Sequence, residues 1–431
     1  MKFNTISRIA LAAVVSVAIA FGTTACIRDY TADYVYAVSN SSGQISAYGV
    51  DYQSGVLTQI SGSPFSTNLT NPSTVVAAPN GKTIYVVGGS QQAQVQAMPV
   101  GSDGKLYGGT GANMPGGGTY PTAAAIDHTG TYLYVTYTYQ NGYGPNASGP
   151  GGVAIFPINS DGSLGTPSNV NVGIAPVAIA TTAPTCTATP ALGTNSTPNC
   201  IILGTSGSAN NGTNQSFVYV VDAERDALGN STGTPSVLGF VEDPGTGGLT
   251  PITGNNPENG FNAGVSPSAI VSDPTGKYVY VTDKAQNQIY GYGISNGTSG
   301  ALTGLVSSPY ATGQYPVSIT IEPRGKYVYV ANYNSQTVSS YSLNLASGAL
   351  GATAGSNFTT TTGPTCVTVE PALGIYLYTS DYLNSSISGG QLSPNTGALN
   401  AVATSFFPAV SQPICVVSVP NGLHASQSTQ P

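Results

Sequence analysis

The chain has 431 residues, ten Lys+Arg against seventeen Asp+Glu, and charged residues at only 6%, far below the roughly 25% of an ordinary globular protein. That length exceeds one small core and suits a large repeat array, and so few cations exclude a nucleic-acid surface of useful size. Apolar residues at 40%, in regular alternation with Gly, Tyr, Ser, Thr and Asn, argue for all-β structure over disorder.

Residues 1–25 read as an export signal peptide, with Lys2 and Arg8 as the positive flank and Ile9 to Phe21 as the apolar run. That run is short for a bilayer span. Thr23-Thr24-Ala25-Cys26 then resembles a lipoprotein cleavage box, although Thr23 stands where Leu is commonest. Lipidation of Cys26 would leave 26–32 as a tether and an even four cysteines; the alternative is plain secretion after cleavage at Ala25. Either outcome places the protein outside the cytoplasm, where disulfides persist. Contact with a membrane is expected only through the lipid, on the cell envelope.

From residue 33 onward three ladders run along the chain. The second Tyr of a Y-x-Y strand recurs at Tyr36, Tyr85, Tyr134, Tyr219, Tyr280, Tyr329 and Tyr378, spaced by 49 residues except across Tyr134–Tyr219 and Tyr219–Tyr280. A Gly-x-Leu turn recurs at Gly55, Gly104, Gly162, Gly247, Gly300, Gly348 and Gly397, and a strand-opening proline at Pro72, Pro121, Pro176, Pro267, Pro316, Pro364 and Pro413. Each unit reads as four short strands, which predicts a seven-bladed β-propeller over 33–422. The Tyr rings are expected between blades, each burying about 1.5–3 kcal/mol. The chain begins in a second strand (DYVYAVSN) and ends in a first strand (QPICVVSVPNG), so the last strand should complete the first blade and leave no open edge. Residues 423–431 read as a disordered tail.

The pattern PxxIxxxPxGKYVYVxN followed by TGxL, as in 316–332, resembles the seven-bladed lactonase-type propellers, the group of bacterial 6-phosphogluconolactonase. It also resembles the YVTN-repeat surface propellers, as in Tyr280-Val281-Thr282-Asp283. The resemblance implies the fold and a lactonase-like hydrolase of a small lactone or sugar-derived ester, without a cofactor. Such enzymes use His, Arg and Glu in longer local motifs that are not matched here, so it assigns no catalytic residue.

Departures from the repeat mark candidate function. The segment after the Y-x-Y strand is enlarged in the third and fourth units, at 136–152 and 222–236. These loops belong on the face that propellers use for ligands. Tyr137, Tyr139 and Tyr143 offer rings and hydroxyls in the first loop, and Glu224, Arg225 and Asp226 are three consecutive charges in the second. A Glu224 carboxylate can activate water while the Arg225 guanidinium holds an oxyanion; the same charges equally suit solvation of a long loop. Glu258, and Asp283 with Lys284, should project from the same side. Asp222, Asp283, Asn332 and Asp381 share a strand-end position and should form a polar ring about the channel mouth.

The insertion at 182–216 belongs on the opposite face and carries Cys186 and Cys200; the expectation is a disulfide worth about 3 kcal/mol. No His stands near them, which argues against a metal. Cys366 and Cys415 share one repeat position, where other units carry Thr, Ala or Ser. One blade rotation should aim their Cβ atoms the same way around the ring, which argues against a bridge. His128 falls in a turn opposite the candidate face and His424 in the tail, so no Ser-His-Asp set can be built. Three functions stay open: lactone hydrolysis, non-catalytic binding of a glycan, peptide or envelope component through the Tyr-rich face, or a purely structural role as a wall-associated array module. A monomer is expected.

Overall fold

The computed structural model describes residues 30–144, 146–147, 149–184, 215–225, 233–252, 260–295, 299–422 and 427. They form seven antiparallel sheets arranged as the blades of a β-propeller. Blade 6 shows the unit: Pro316–Ile321 innermost, then Tyr327–Asn332, Thr337–Leu343 and Leu350–Thr359 outermost. In blades 1, 4 and 5 the outermost strand is split into two short pieces that both pair with the third strand.

The predicted closure is present as a pairing. Pro413–Pro420 lies against Thr31–Ser39, with Tyr36 opposite Val417 and Tyr34 opposite Val419. The innermost strand of blade 1 thus comes from the C-terminal end, and the edge that Thr31–Ser39 would otherwise expose is covered.

Seven apolar clusters occupy the seven junctions between blades, because each twisted sheet buries both faces against its neighbours. All seven ladder tyrosines are fully buried there. Their hydroxyls link two of the sequence ladders. Each donates to the Gly-x-Leu glycine carbonyl of the next blade: Tyr36 to Gly104 (2.8 Å), Tyr219 to Gly300 (2.6 Å), Tyr280 to Gly348 (2.7 Å), and finally Tyr378 to Gly55 (2.7 Å) across the seam. Glycine is needed at these turns twice over. Gly348 has φ 72°, and a Cβ there would fall against the Tyr278 ring of the preceding blade.

One expectation is overturned. Cys366 and Cys415 are bridged, with Cα atoms 4.8 Å apart. The innermost strands of neighbouring blades converge near the axis, so equivalent positions approach each other more closely than a simple rotation of outer strands implies. Cys186, Cys200 and Cys26 lie outside the described residues. So does most of 423–431, although Gln427 donates from its backbone to the Pro371 carbonyl (2.7 Å) and from its side chain to Ala372 (2.8 Å).

Candidate functional site

Two kinds of loop share one face: those after each second strand, and those leading into each Pro-led strand. Pro has no N–H to donate, and the loop before it carries amides that also need acceptors. The strand-end residues opposite the prolines supply them. Pro176 faces Asp222 and Pro267 faces Asp283. Asp222 accepts from the amides of Ile174 and Ala175 (both 2.8 Å) and Glu224 (3.0 Å); Asp283 accepts from Val265 (2.6 Å), Ser266 (3.2 Å) and Ala285 (2.9 Å).

In blade 7, Asp381 instead accepts from the hydroxyls of Thr361 (2.7 Å), Thr379 (2.8 Å) and Ser388. Burial raises its carboxyl above the ordinary range, opposed by those hydroxyls. Asn332 donates to Thr337 (3.2 Å) and Ser339 (2.9 Å). All four strand-end residues are fully buried. The expected polar ring is therefore not open to a ligand: all four side chains are buried and hydrogen-bonded within the fold.

The tyrosines of the first long loop divide. Tyr137 occupies the same strand-end position in blade 3 and is fully buried, its hydroxyl accepting from Asn169 Nδ2 (3.3 Å). Tyr139 is buried and packs edge-on to Tyr120, centroids 5.6 Å apart. Tyr143 is 47% exposed. Alternation puts the first two into the blade and leaves only the loop tip to solvent.

The second long loop leans the other way, towards blade 5. Arg225 Nη2 donates to the Val265 carbonyl (3.0 Å), and the Lys284 amide donates to Ser266 (3.0 Å). Arg225 and Lys284 thus flank one short loop. Glu224 has φ 47°, and its carboxylate lies over Gly233 of its own loop. Lys284 Nζ sits 5.6 Å from the centre of the Tyr315 ring, a cation–π distance. Tyr315 in turn lies 6.1 Å from Tyr333 and is 37% exposed. Asp226 and Glu258 lie outside the described residues.

The cations are divided unequally between the faces. Of ten Lys and Arg residues seven lie among the described ones. Lys82, Lys105, Lys277, Arg324 and Lys326 occupy the turns of the opposite face, which leaves Arg225 and Lys284 as the loop-face cations among the described residues. Sequence reasoning named both but missed Tyr315 and Tyr333. The available signal was an aromatic directly before a ladder proline (Tyr120-Pro121, Tyr315-Pro316), where both tyrosines hold positive φ, 55° and 59°. That backbone is unfavourable for a non-glycine residue and rarer still before proline. His128 is exposed on the turn face, and partial desolvation of its ring lowers its pKa. Among the described residues, no three His, Cys, Asp or Glu side chains gather as a metal-ligand set.

The fold has well-matched solved counterparts. A candidate 6-phosphogluconolactonase from Bacteroides uniformis superposes with TM-score 0.65 at 18% identity, covering 90% of this chain and 100% of its own. One from Bacteroides fragilis gives 0.64 at 16%, covering 91% and 99%. The periplasmic gluconolactonase of Pseudomonas aeruginosa gives 0.60 at 16%, covering 90% and 99%. At such identities these establish the fold alone. No curated protein matches the sequence. The family model "Lactonase, 7-bladed beta-propeller" matches residues 25–176 and 235–369, and the chain belongs to that family.

Proposed function

We propose that this propeller hydrolyses a small lactone or sugar-derived ester on the loop face of blade 5, beside its junctions with blades 4 and 6. One observation carries the reading: among the described residues the loop-face cations are Arg225, whose guanidinium donates to Val265, and Lys284, whose backbone N–H donates to Ser266 of the same loop while its ammonium stands over the partly exposed Tyr315 ring. Family membership supports a lactonase-like reaction. The sequence reading set the site on the long loops of blades 3 and 4; the lean of Arg225 towards Val265 supports a site one blade onward.

In the proposed reaction Glu224 takes a proton from water as the oxygen adds to the lactone carbonyl carbon. Negative charge then develops on the carbonyl oxygen, opposite Arg225 and Lys284. Collapse breaks the ring C–O bond, and the departing oxygen recovers the proton to become the hydroxyl of a hydroxy acid. Tyr315 and Tyr333 supply the platform against which a small ring stacks.

Purified protein assayed by pH-stat on γ- and δ-lactones of aldonic acids tests this. Arg225→Ala and Lys284→Ala should each lower kcat/KM by about 100-fold, the usual cost of one oxyanion donor. Glu224→Gln should lower kcat with little change in KM. Turnover in the Arg225→Ala, Lys284→Ala double variant equal to that of the wild type would remove the site.

A further inference from the structure

A second feature of the loop face lies away from the cations, between blades 2 and 3. A cavity of about 400 Å³ is lined there by Gln91, Gln92, Gln94, Asn113 and the Gly117–Gly118 turn, over buried Ala93 and Met114. Its volume is in the range of small-ligand sites. None of its lining residues carries a charge.

Amides dominate its far side too. Asn141 lies on that side, its backbone N–H donating to the Gly116 carbonyl (3.1 Å), and a Cβ on Gly117 would stand 2.8 Å from the Asn141 Cβ. Asn169 borders Gly116. Several of these side chains are already oriented: Gln94 Nε2 donates to Asn113 Oδ1 (2.8 Å), and Asn169 to the Tyr137 hydroxyl (3.3 Å). On the channel side Tyr120 donates its backbone N–H to Ser90 (2.8 Å), next to Gln91.

We infer that this cleft binds a neutral oligosaccharide. A primary amide offers two donors and an acceptor on one rigid plane, the complement of a sugar's paired hydroxyls, which both give and take hydrogen bonds. A charged ligand would need a counter-charge that the lining lacks. A peptide would want a pocket for an apolar anchor, and the apolar lining residues, Ala93 and Met114, are themselves buried. Amides held by each other lose little freedom on binding.

Calorimetric titration of the intact protein with maltohexaose, cellohexaose, chitohexaose and oligogalacturonate tests the inference. At least one neutral hexasaccharide should bind, with an affinity unchanged between about 50 and 500 mM salt, because no ion pair contributes. Gln94→Ala and Asn113→Ala should each weaken binding about tenfold. Both residues lie at least partly in solvent, and an unchanged Tm checks that each variant is folded. Arg225→Ala should leave sugar binding intact, so this test and the lactone test fail independently. The inference is overturned by no binding of any neutral hexasaccharide, by salt-sensitive preference for oligogalacturonate, or by binding that survives both substitutions. Capture of a random hexapeptide pool in place of the sugars would count against it equally.

Discussion

The hydroxyl of each ladder tyrosine and the glycine carbonyl of the next blade form the smallest unit of this structure that serves the whole ring. Tyr280→Phe removes the bond to Gly348 but keeps the buried ring, so it should cost about 1 kcal/mol. Tyr280→Ala leaves a cavity and should cost about 3–5 kcal/mol. Gly348→Ala adds unfavourable φ to a collision with Tyr278 and should exceed the Tyr280→Phe cost; urea denaturation orders the three. A different residue sets a pH dependence. Burial pushes the Glu242 carboxyl up to about 7, and Tyr134 shares its one hydroxyl hydrogen between Glu242 Oε1 (2.9 Å) and the Gly247 carbonyl (3.0 Å). The folded state therefore holds this proton more tightly than the unfolded chain does. The associated stability is full below the unfolded value near 4.5 and lost as pH rises through about 7. Asp33, raised by burial and by the neighbouring Glu370 carboxylate, acts in the same direction. Glu242→Gln should flatten part of the decline and gain about 2–3 kcal/mol at pH 8, read from Tm between pH 5 and 8.

At the scale of one element, the closing strand Pro413–Pro420 has two attachments. It pairs along Thr31–Ser39, and its Cys415 is bonded to Cys366 in blade 7. Deleting 412–431 removes both, exposes a long flat edge and should cause aggregation, visible by light scattering. Deleting only 423–431 removes the Gln427 contacts at Pro371 and Ala372 and should cost no more than about 1–2 kcal/mol. Cys415→Ser keeps the pairing but opens a loop of sequence separation 49, which the chain-entropy relation values at about 4 kcal/mol. Equal stability of the two truncations would show that the strand does not hold the ring shut.

Over the whole molecule, the repeat that builds seven equivalent junctions also spreads polar groups evenly, so function resides where equivalence fails. The two loop-face cations are such a failure, and part of it was legible: Arg225 and Lys284 stand out in a chain with 6% charged residues. Their shared loop was not legible, because residues 225, 265 and 284 meet only once blades 4 and 5 are side by side. The aspartates at strand ends misled for a related reason. A period shows that Asp222, Asp283 and Asp381 are equivalent, but not that backbone amides or hydroxyls already occupy their oxygens. The amide cleft left no repeat signature, since its glutamines and asparagines come from separate loops of blades 2 and 3.

The amino-acid sequence by itself determined the strand period, the number of blades, the buried tyrosines and which strand closes the ring. Each follows from local rules, namely alternation, glycine at positive φ, and proline at strand starts, repeated seven times. Tertiary structure decided which side chains remain available. It buried Tyr137 and Asp381, bridged Cys366 to Cys415, and set Tyr315 beside Lys284. Those outcomes depend on distances of a few ångströms between blades, and a one-dimensional spacing does not encode how closely neighbouring sheets converge on their common axis.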